Sequence, residues 1–212
     1  TVSRTWDTTL YCRLTQEITE PLSGTYKVTR DLLYDSFGNV NSETITGIGM
    51  TARTTLTNWG TTGQFPNTVR NPLNETTTFG WDYAKGVKTS ETDPNNIAAS
   101  WQYDVFARQT RETRPDGTYT QYTPSDCTSA DSYCGTADNL VRAKVNASSK
   151  NTTGVEIRYD DTYLDAFGRP KLTVSQMPNS AVSNRKTLYD SRGRVAGQSM
   201  PYASGGTIYL TT

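Results

Sequence analysis

Three times in 212 residues a strand-like run ends in Asp, two indifferent residues and Gly: YDSFG from Tyr34, LDAFG from Leu164 and YDSRG from Tyr189. A chain that keeps reversing direction after short runs has little choice but to build hairpins. In YDSRGR, Asp190 occupies the first position of a type I turn and Gly193 the fourth, where each residue type is favoured. A type I turn followed by a residue at positive φ makes a three-residue hairpin loop with a bulge. Gly193 reaches that φ without steric cost, and the Asp190 carboxylate accepts backbone N–H bonds across the loop. Asp35–Gly38 and Asp165–Gly168 repeat the spacing.

Two further copies depart from it. YDVFAR has Tyr103 and Asp104 in place but Ala107 where Gly is expected; Ala at positive φ is strained, so that turn is expected to differ in type. WDYAKG places Gly86 one residue late after Asp82. Between these a second turn type is expected, built on Pro: RPDGTY, with Pro115 second, Asp116 third and Gly117 fourth, and TDPNNI, with Pro94 second and Asn96 fourth. Asp82 and Asp104 stand 22 residues apart, Asp165 and Asp190 25 apart, and longer gaps separate the others. This is a repeat array of strand pairs added to one continuing sheet.

Composition agrees with a β fold. Only 33% of the chain is apolar, but 13 Tyr, 5 Phe and 4 Trp with abundant Thr suit a half-exposed pleated surface. Helical periodicity is nearly absent. The best helical stretch, ADNLVRAKVNASSK from Ala137 with Asp138 as N-cap, alternates well enough at Val141, Ala143 and Val145 to be a strand instead. The expected fold is therefore all-β, an array of antiparallel hairpins forming a continuous curved sheet. It is read as one segment over residues 1–212, with a loop insertion at 124–137.

Lys and Arg number 21 against 21 Asp and Glu, which removes the usual footprint of nucleic-acid or anionic-membrane binding. No apolar run approaches the roughly 20 residues of a membrane span. The opening TVSRTWDTTLYCRL is strand-like, with no signal peptide, so targeting information is expected elsewhere in a longer chain. Cys127 and Cys134 flank TSADSY in a turn-rich stretch. They read as a disulfide in an oxidising compartment or as two reduced thiols, and Cys12 is left over.

The turn motifs, taken together, resemble the YD or Rhs repeat family, most closely its bacterial branch of Rhs polymorphic toxins and the B/C components of Tc insecticidal toxins. YDSRGR, YDSFGN, YDVFAR, LDAFGR and RPDGTYTQY carry the resemblance, which extends from about Leu33 to Tyr202. It implies a strand ribbon spiralling into a hollow shell, which in toxin members encloses a toxic polypeptide. The present length would supply part of such a shell. The family's C-terminal self-cleavage segment has no counterpart, because TDPNNI lacks its Gly. Under this resemblance Tyr34, Tyr103 and Tyr189 lie against neighbouring strands, and Arg169 and Arg194 reach groups of the next hairpin. The implied partners are the remaining repeats, of the same or a partner chain, and an enclosed polypeptide. The implied location is secreted or at the bacterial cell surface.

Catalytic and cofactor patterns find little support. The chain has no His, which excludes Ser-His-Asp and Cys-His chemistry and the commonest metal ligand. No zinc spacing exists among three Cys, and no cofactor is expected. GIGMTA from Gly47 fits a dinucleotide pattern but leads into a Thr-rich strand-like run instead of a helix. SNRK, Ser183 to Lys186, fits S-x-x-K without its companion motifs. Asp160 and Asp161 are adjacent and point to opposite faces of a strand, so they do not converge. The sequons at Asn74, Asn146 and Asn151 matter only in a glycosylating host. The function expected is a non-catalytic shell segment. The competing reading is a binding module in which Trp59, Trp81, Trp101 and the tyrosines present an aromatic face to a glycan or a partner protein.

Overall fold

The computed structural model describes residues 1–8, 11–128, 131–134 and 141–211. The fold is all-β: eighteen strands, antiparallel at every pairing given below, and among the described residues the only helix is a single 3₁₀ turn at Pro178–Ser180. Contacts gather into two compact units, Thr1–Ser100 and Trp101–Thr212.

The first unit holds β1 (Val2–Trp6), β2 (Leu14–Thr19), β3 (Val28–Tyr34), β4 (Val40–Gly47), β5 (Arg53–Asn58), β6 (Thr68–Arg70), β7 (Thr76–Asp82) and β8 (Val87–Thr92), and the unit boundary falls inside β9 (Ala98–Tyr103). Each strand from β1 to β8 pairs with the next in chain order. That order follows from loop length, since a short loop can only return the chain beside the strand it has just left. The Gly47 pattern lies here. Gly47 ends β4, Met50 N–H bonds back to its carbonyl at 3.1 Å, and β5 follows, so the stretch is a β-turn.

In the second unit β10 (Gln109–Thr113), β11 (Tyr119–Asp126), β12 (Val141–Lys150), β13 (Glu156–Asp165), β14 (Pro170–Gln176), β15 (Val182–Tyr189) and β16 (Val195–Ser199) again pair in chain order. β17 (Tyr202–Ala203) pairs with the start of β15, and β18 (Leu210–Thr211) with the end of β16. Residues 141–150 form a strand, not a helix; Asp138 lies outside the described residues. β11 continues through Asp126, so the connection to β12 begins at Cys127, not at residue 124. SNRK lies within β15.

The core is thin and one-sided. Tyr163 on β13 and Leu172 and Val174 on β14 are buried with Val141, and Cys134 packs onto them from the β11–β12 connection. Burial alternates along β13 and β14 with the two-residue period of a strand. Among the described residues of the first unit, Leu32 is the one buried apolar side chain. With so little apolar area removed from water, the hairpin ends must carry much of the fold's definition.

Those ends use one turn. At Asp35, Asp165 and Asp190 the fourth residue donates N–H to the carbonyl of the first at 3.0–3.2 Å, and the first donates N–H to the carbonyl of the fifth at 2.8–3.0 Å. Gly38, Gly168 and Gly193 sit at φ 91°, 75° and 80°. Ala107 does not escape to another turn type. It sits at φ 61°, with Asp104 and Arg108 bonded in the same way. The strain is offset because the Asp104 carboxylate takes the N–H groups of Phe106 and Arg108 at 2.8 and 2.9 Å and the Arg108 Nε at 2.7 Å. The Pro turns are not a second kind either. Asp93–Ile97 and Arg114–Thr118 close with the same two backbone bonds, with Asn96 and Gly117 at positive φ. The late Gly86 is the one variant among the motif copies: its N–H reaches the Asp82 carbonyl at 2.8 Å, making the loop one residue longer.

Two substitutions test the turn. Gly193→Val forces a β-branched residue to φ 80° and is expected to cost more than about 1 kcal/mol in urea unfolding. Ala107→Gly relieves the same strain and is expected to leave stability unchanged or raise it by up to about 1 kcal/mol. Equal midpoints for Gly193→Val and wild type would contradict the assignment.

Candidate functional site

The motif residues divide into two jobs, and each begins with a backbone need. The turn needs acceptors for N–H groups that no strand satisfies. Asp35 Oδ1 takes Phe37 and Asn39 N–H at 2.9 Å each, Asp165 Oδ1 takes Phe167 and Arg169, and Asp190 Oδ1 takes Arg192 and Arg194. The second carboxylate oxygen is also used. Arg169 Nε and Arg194 Nε each donate to their own turn aspartate at 2.8 Å. Both arginines thus return to their own loop; only the Arg169 guanidinium also touches the next hairpin, over the Tyr189 ring at 4.4 Å. In RPDGTY, where Arg114 holds the first position, Asp116 instead accepts the N–H and hydroxyl of Thr118.

Two copies of the loop are spelled with asparagine. Asn71–Glu75 and Asn151–Val155 make the same backbone bonds, and each asparagine Oδ1 takes two N–H groups. The signal was present as NPLN and NTTG; an asparagine carbonyl does what one carboxylate oxygen does, so the pattern is Asx-x-x-Gly/Asn.

The second job belongs to the aromatic residue near the turn. Backbone pairing stops short of several turns, and an aromatic donor spans the gap. Tyr34 OH donates to Leu14 O at 2.6 Å, Trp59 Nε1 to Val40 O at 2.8 Å, Trp81 Nε1 to Pro66 O at 2.8 Å and Tyr189 OH to Pro170 O at 2.9 Å. The last backbone pairs are Gln16↔Asp31, Ser42↔Leu56, Thr68↔Thr78 and Leu172↔Lys186. In all four cases the aromatic residue therefore stands three positions beyond the last pair, and its acceptor two positions before it on the preceding strand. The residue ahead of the acceptor covers the ring in three of them. Arg13 lies over Tyr34 at 4.6 Å, Phe65 stacks on Trp81 at 4.5 Å and Arg169 covers Tyr189. Tyr34, Trp59, Trp81, Trp101, Tyr103 and Tyr189 are all half-buried. Sequence reasoning saw the tyrosines and tryptophans as separate sets; the shared offset unites them.

A smaller constellation surrounds the disulfide. Cys127 and Cys134 are joined, with Cα atoms 5.5 Å apart, and Cys12 is free and exposed. The connection presents Asp131 to Lys144 Nζ at 2.9 Å and to Tyr163 OH at 3.0 Å, while Tyr133 packs on Tyr163. Burial pushes the Tyr163 phenol up, and the Asp131 carboxylate adds to that. Lys144 is held charged chiefly by its bond to Asp131. Asp161 accepts from Asn146 at 2.7 Å and Asp160 pairs with Arg158 at 2.9 Å, so the two neighbouring acids serve different faces. No group of three or more metal-ligating side chains occurs among the described residues.

The turn acids are tuned to stay ionised. At Asp35, Asp104 and Asp165 partial burial pulls upward, but the loop N–H groups, joined by the Asn39 amide at Asp35 and by Arg108 and Arg169 at the other two, outweigh it and hold each carboxyl below its ordinary value. At Asp190 the Arg194 N–H and side chain lead, at Asp82 the Lys85 ammonium and at Asp116 the Thr118 hydroxyl, with the same result. Such carboxylates are charged acceptors, unsuited to shuttling protons near neutrality.

No family model matches the chain, and no curated protein matches it by sequence. By fold it is similar to a chain of the crystal structure of TcdB2-TccC3-Cdc42, with a TM-score of 0.55 at 14% identity; the match covers 93% of this chain and 12% of that one. Chains in the crystal structures of TcdB2-TccC3-TEV and TcdB2-TccC3 align over 100% of this chain at 13% and 12% identity, with TM-scores of 0.47 and 0.44, and the alignment covers 13% and 15% of those chains. The first likeness is one of fold; the other two are too distant to carry an argument. This chain thus corresponds to a small part of a much longer one.

Two predictions follow from the site. A carboxyl whose folded pKa is depressed contributes stability above its unfolded value, about 3.9, and loses it as pH falls through the folded value. With no His in the chain, the urea midpoint is expected to be flat from about pH 5 to 8 and to fall steeply below about pH 4. Trp81→Phe keeps an aromatic side chain but loses part of the indole and orphans the Pro66 carbonyl, and is expected to cost at least about 1 kcal/mol, more than the ring-preserving and better-solvated Tyr189→Phe. The same unfolding assay reads both; no loss in either would remove the aromatic tether from the account.

Proposed function

We propose that the chain is a non-catalytic YD-repeat wall segment of a toxin-type shell, whose role is to encapsulate or present a toxin or other polypeptide. The observation that carries this reading is the aromatic tether. Four aromatic donors are spent holding four strand ends to the strand before, and the turn carboxylates are spent on their own loops. The residues that distinguish this sequence therefore serve sheet continuity. The fold likeness to the TcdB2-TccC3-Cdc42 chain supports the same reading, and the Cys127–Cys134 bridge supports an oxidising, secreted or cell-surface setting. The partners proposed are further repeats of the same or a partner chain, and the enclosed polypeptide.

In mechanical terms the wall works by continuity. Antiparallel pairing satisfies most of the backbone of each strand against the next, and the aromatic tethers close four of the intervals where pairing ends. Unpaired strand edges at either end of a segment invite further strands. Light scattering coupled to size-exclusion chromatography on residues 1–212 tests this. A wall segment is expected to associate on its own and to become monodisperse when neighbouring repeats are restored. A stable monomer with no tendency to associate would instead favour a self-contained binding module.

A further inference from the structure

A cavity of about 550 Å³ opens in the first unit, within the ~300–1,000 Å³ range of small-ligand sites. Its wall runs from the Asp35 turn past Asn41, Asn58 and Trp59 to Thr68, Arg70 and Thr76. Three features of this wall bear on what it could hold. Trp59 has its indole N–H tied to Val40 O, so the ring is held in place at the cavity wall. Asn41 Oδ1 is buried with no hydrogen-bond partner among the described residues, an acceptor whose desolvation nothing offsets. Arg70, exposed on the three-residue strand β6, makes no ion pair or hydrogen bond among the described residues.

Charge narrows the ligand. The one acidic side chain on the wall is Asp35, and its carboxylate is spent on Phe37, Asn39 and the Asn39 amide. The free charge of the cavity is therefore the Arg70 guanidinium. An aromatic wall, hydroxyl and amide groups in a row and one unpaired guanidinium match a sugar that carries a carboxylate: apolar ring faces against indole, hydroxyls to the amides and threonines, and a carboxylate to the planar fork of arginine.

We propose that this cavity binds an acidic oligosaccharide, with its carboxylate on Arg70, a pyranose ring against Trp59 and a hydroxyl donated to Asn41 Oδ1 after a small rotation of that amide. A wall segment can carry such a site on its surface, so the proposal does not rest on the shell reading.

Titration of the ¹⁵N-labelled 212-residue chain with 3′-sialyllactose, lactose and sodium acetate tests it. The acidic sugar is expected to bind saturably, shifting the Trp59 indole and the Thr68 and Thr76 amides, with lactose and acetate at least about tenfold weaker. Arg70→Gln, with an otherwise unchanged amide spectrum, is expected to reduce sialyllactose to the level of lactose. Absence of saturation, shifts confined elsewhere, or affinity untouched by Arg70→Gln would overturn the site. Lactose binding as tightly would overturn the acidic class, and acetate binding as tightly would reduce the site to an anion contact.

Discussion

The fold depends on one small constraint: a hairpin loop of five residues leaves two inward N–H groups that no strand can satisfy. A side-chain oxygen at the first position takes both, and positive φ at the fourth brings the fifth back into register. Every consequence at the hairpin ends follows from that economy. Where Arg114 holds the first position, Asp116 takes the Thr118 N–H instead; in the other copies the acceptor is Asx, whose short stem places the oxygen beneath its own loop. The second carboxylate oxygen is then free for a cation, and Arg108, Arg169 and Arg194 supply it from the fifth position. At Arg108 and Arg194 the arginine is more than half exposed, so those pairs hold geometry more than they add stability, whereas the Asp165 end of the third pair is buried.

The aromatic tether solves the complementary problem. Strands twist, and near a bulged turn the backbone ladder ends before the strands separate. A Tyr or Trp is long enough to cross that interval, apolar enough to pack there and polar at its tip, so one side chain closes the gap and satisfies a carbonyl. The constant offset, three residues past the last pair and two before it on the neighbour, means the tether belongs to the hairpin's geometry and not to local accident. A sheet built so can dispense with a large core. The buried cluster around Tyr163, Leu172 and Val174 is confined to the second unit, where the disulfide-closed connection covers it.

Much of this was legible in the residues. Asp-x-x-Gly named the turns at Asp35, Asp165 and Asp190, and the Thr- and Tyr-rich runs named the strands. The asparagine copies at Asn71 and Asn151 are hidden from a carboxylate pattern because the turn asks only for an oxygen. Ala107 was expected to refuse positive φ on steric grounds; five satisfied bonds within its loop outweigh that single penalty. Arg169 and Arg194 were expected to reach the next hairpin; both bond the free carboxylate oxygen of their own turn, and Arg169 alone also lies over the Tyr189 ring. The tether at Trp59 and Trp81 could not be read without register, since it links residues 15–19 apart by pairing and not by motif. The cavity beside Arg70 was likewise invisible, because its wall draws on β4, β5, β6 and β7 together.

Amide hydrogen exchange resolved by residue tests the central claim most directly. If the turn oxygens hold their loops, the N–H groups of Phe37, Asn39, Phe106, Arg108, Phe167, Arg169, Arg192 and Arg194 will exchange as slowly as paired strand amides near neutral pH. Exchange at the rate of an open loop, with the flanking strands still protected, would show that the aspartates are solvated ornaments and that the recurring motif has some other purpose.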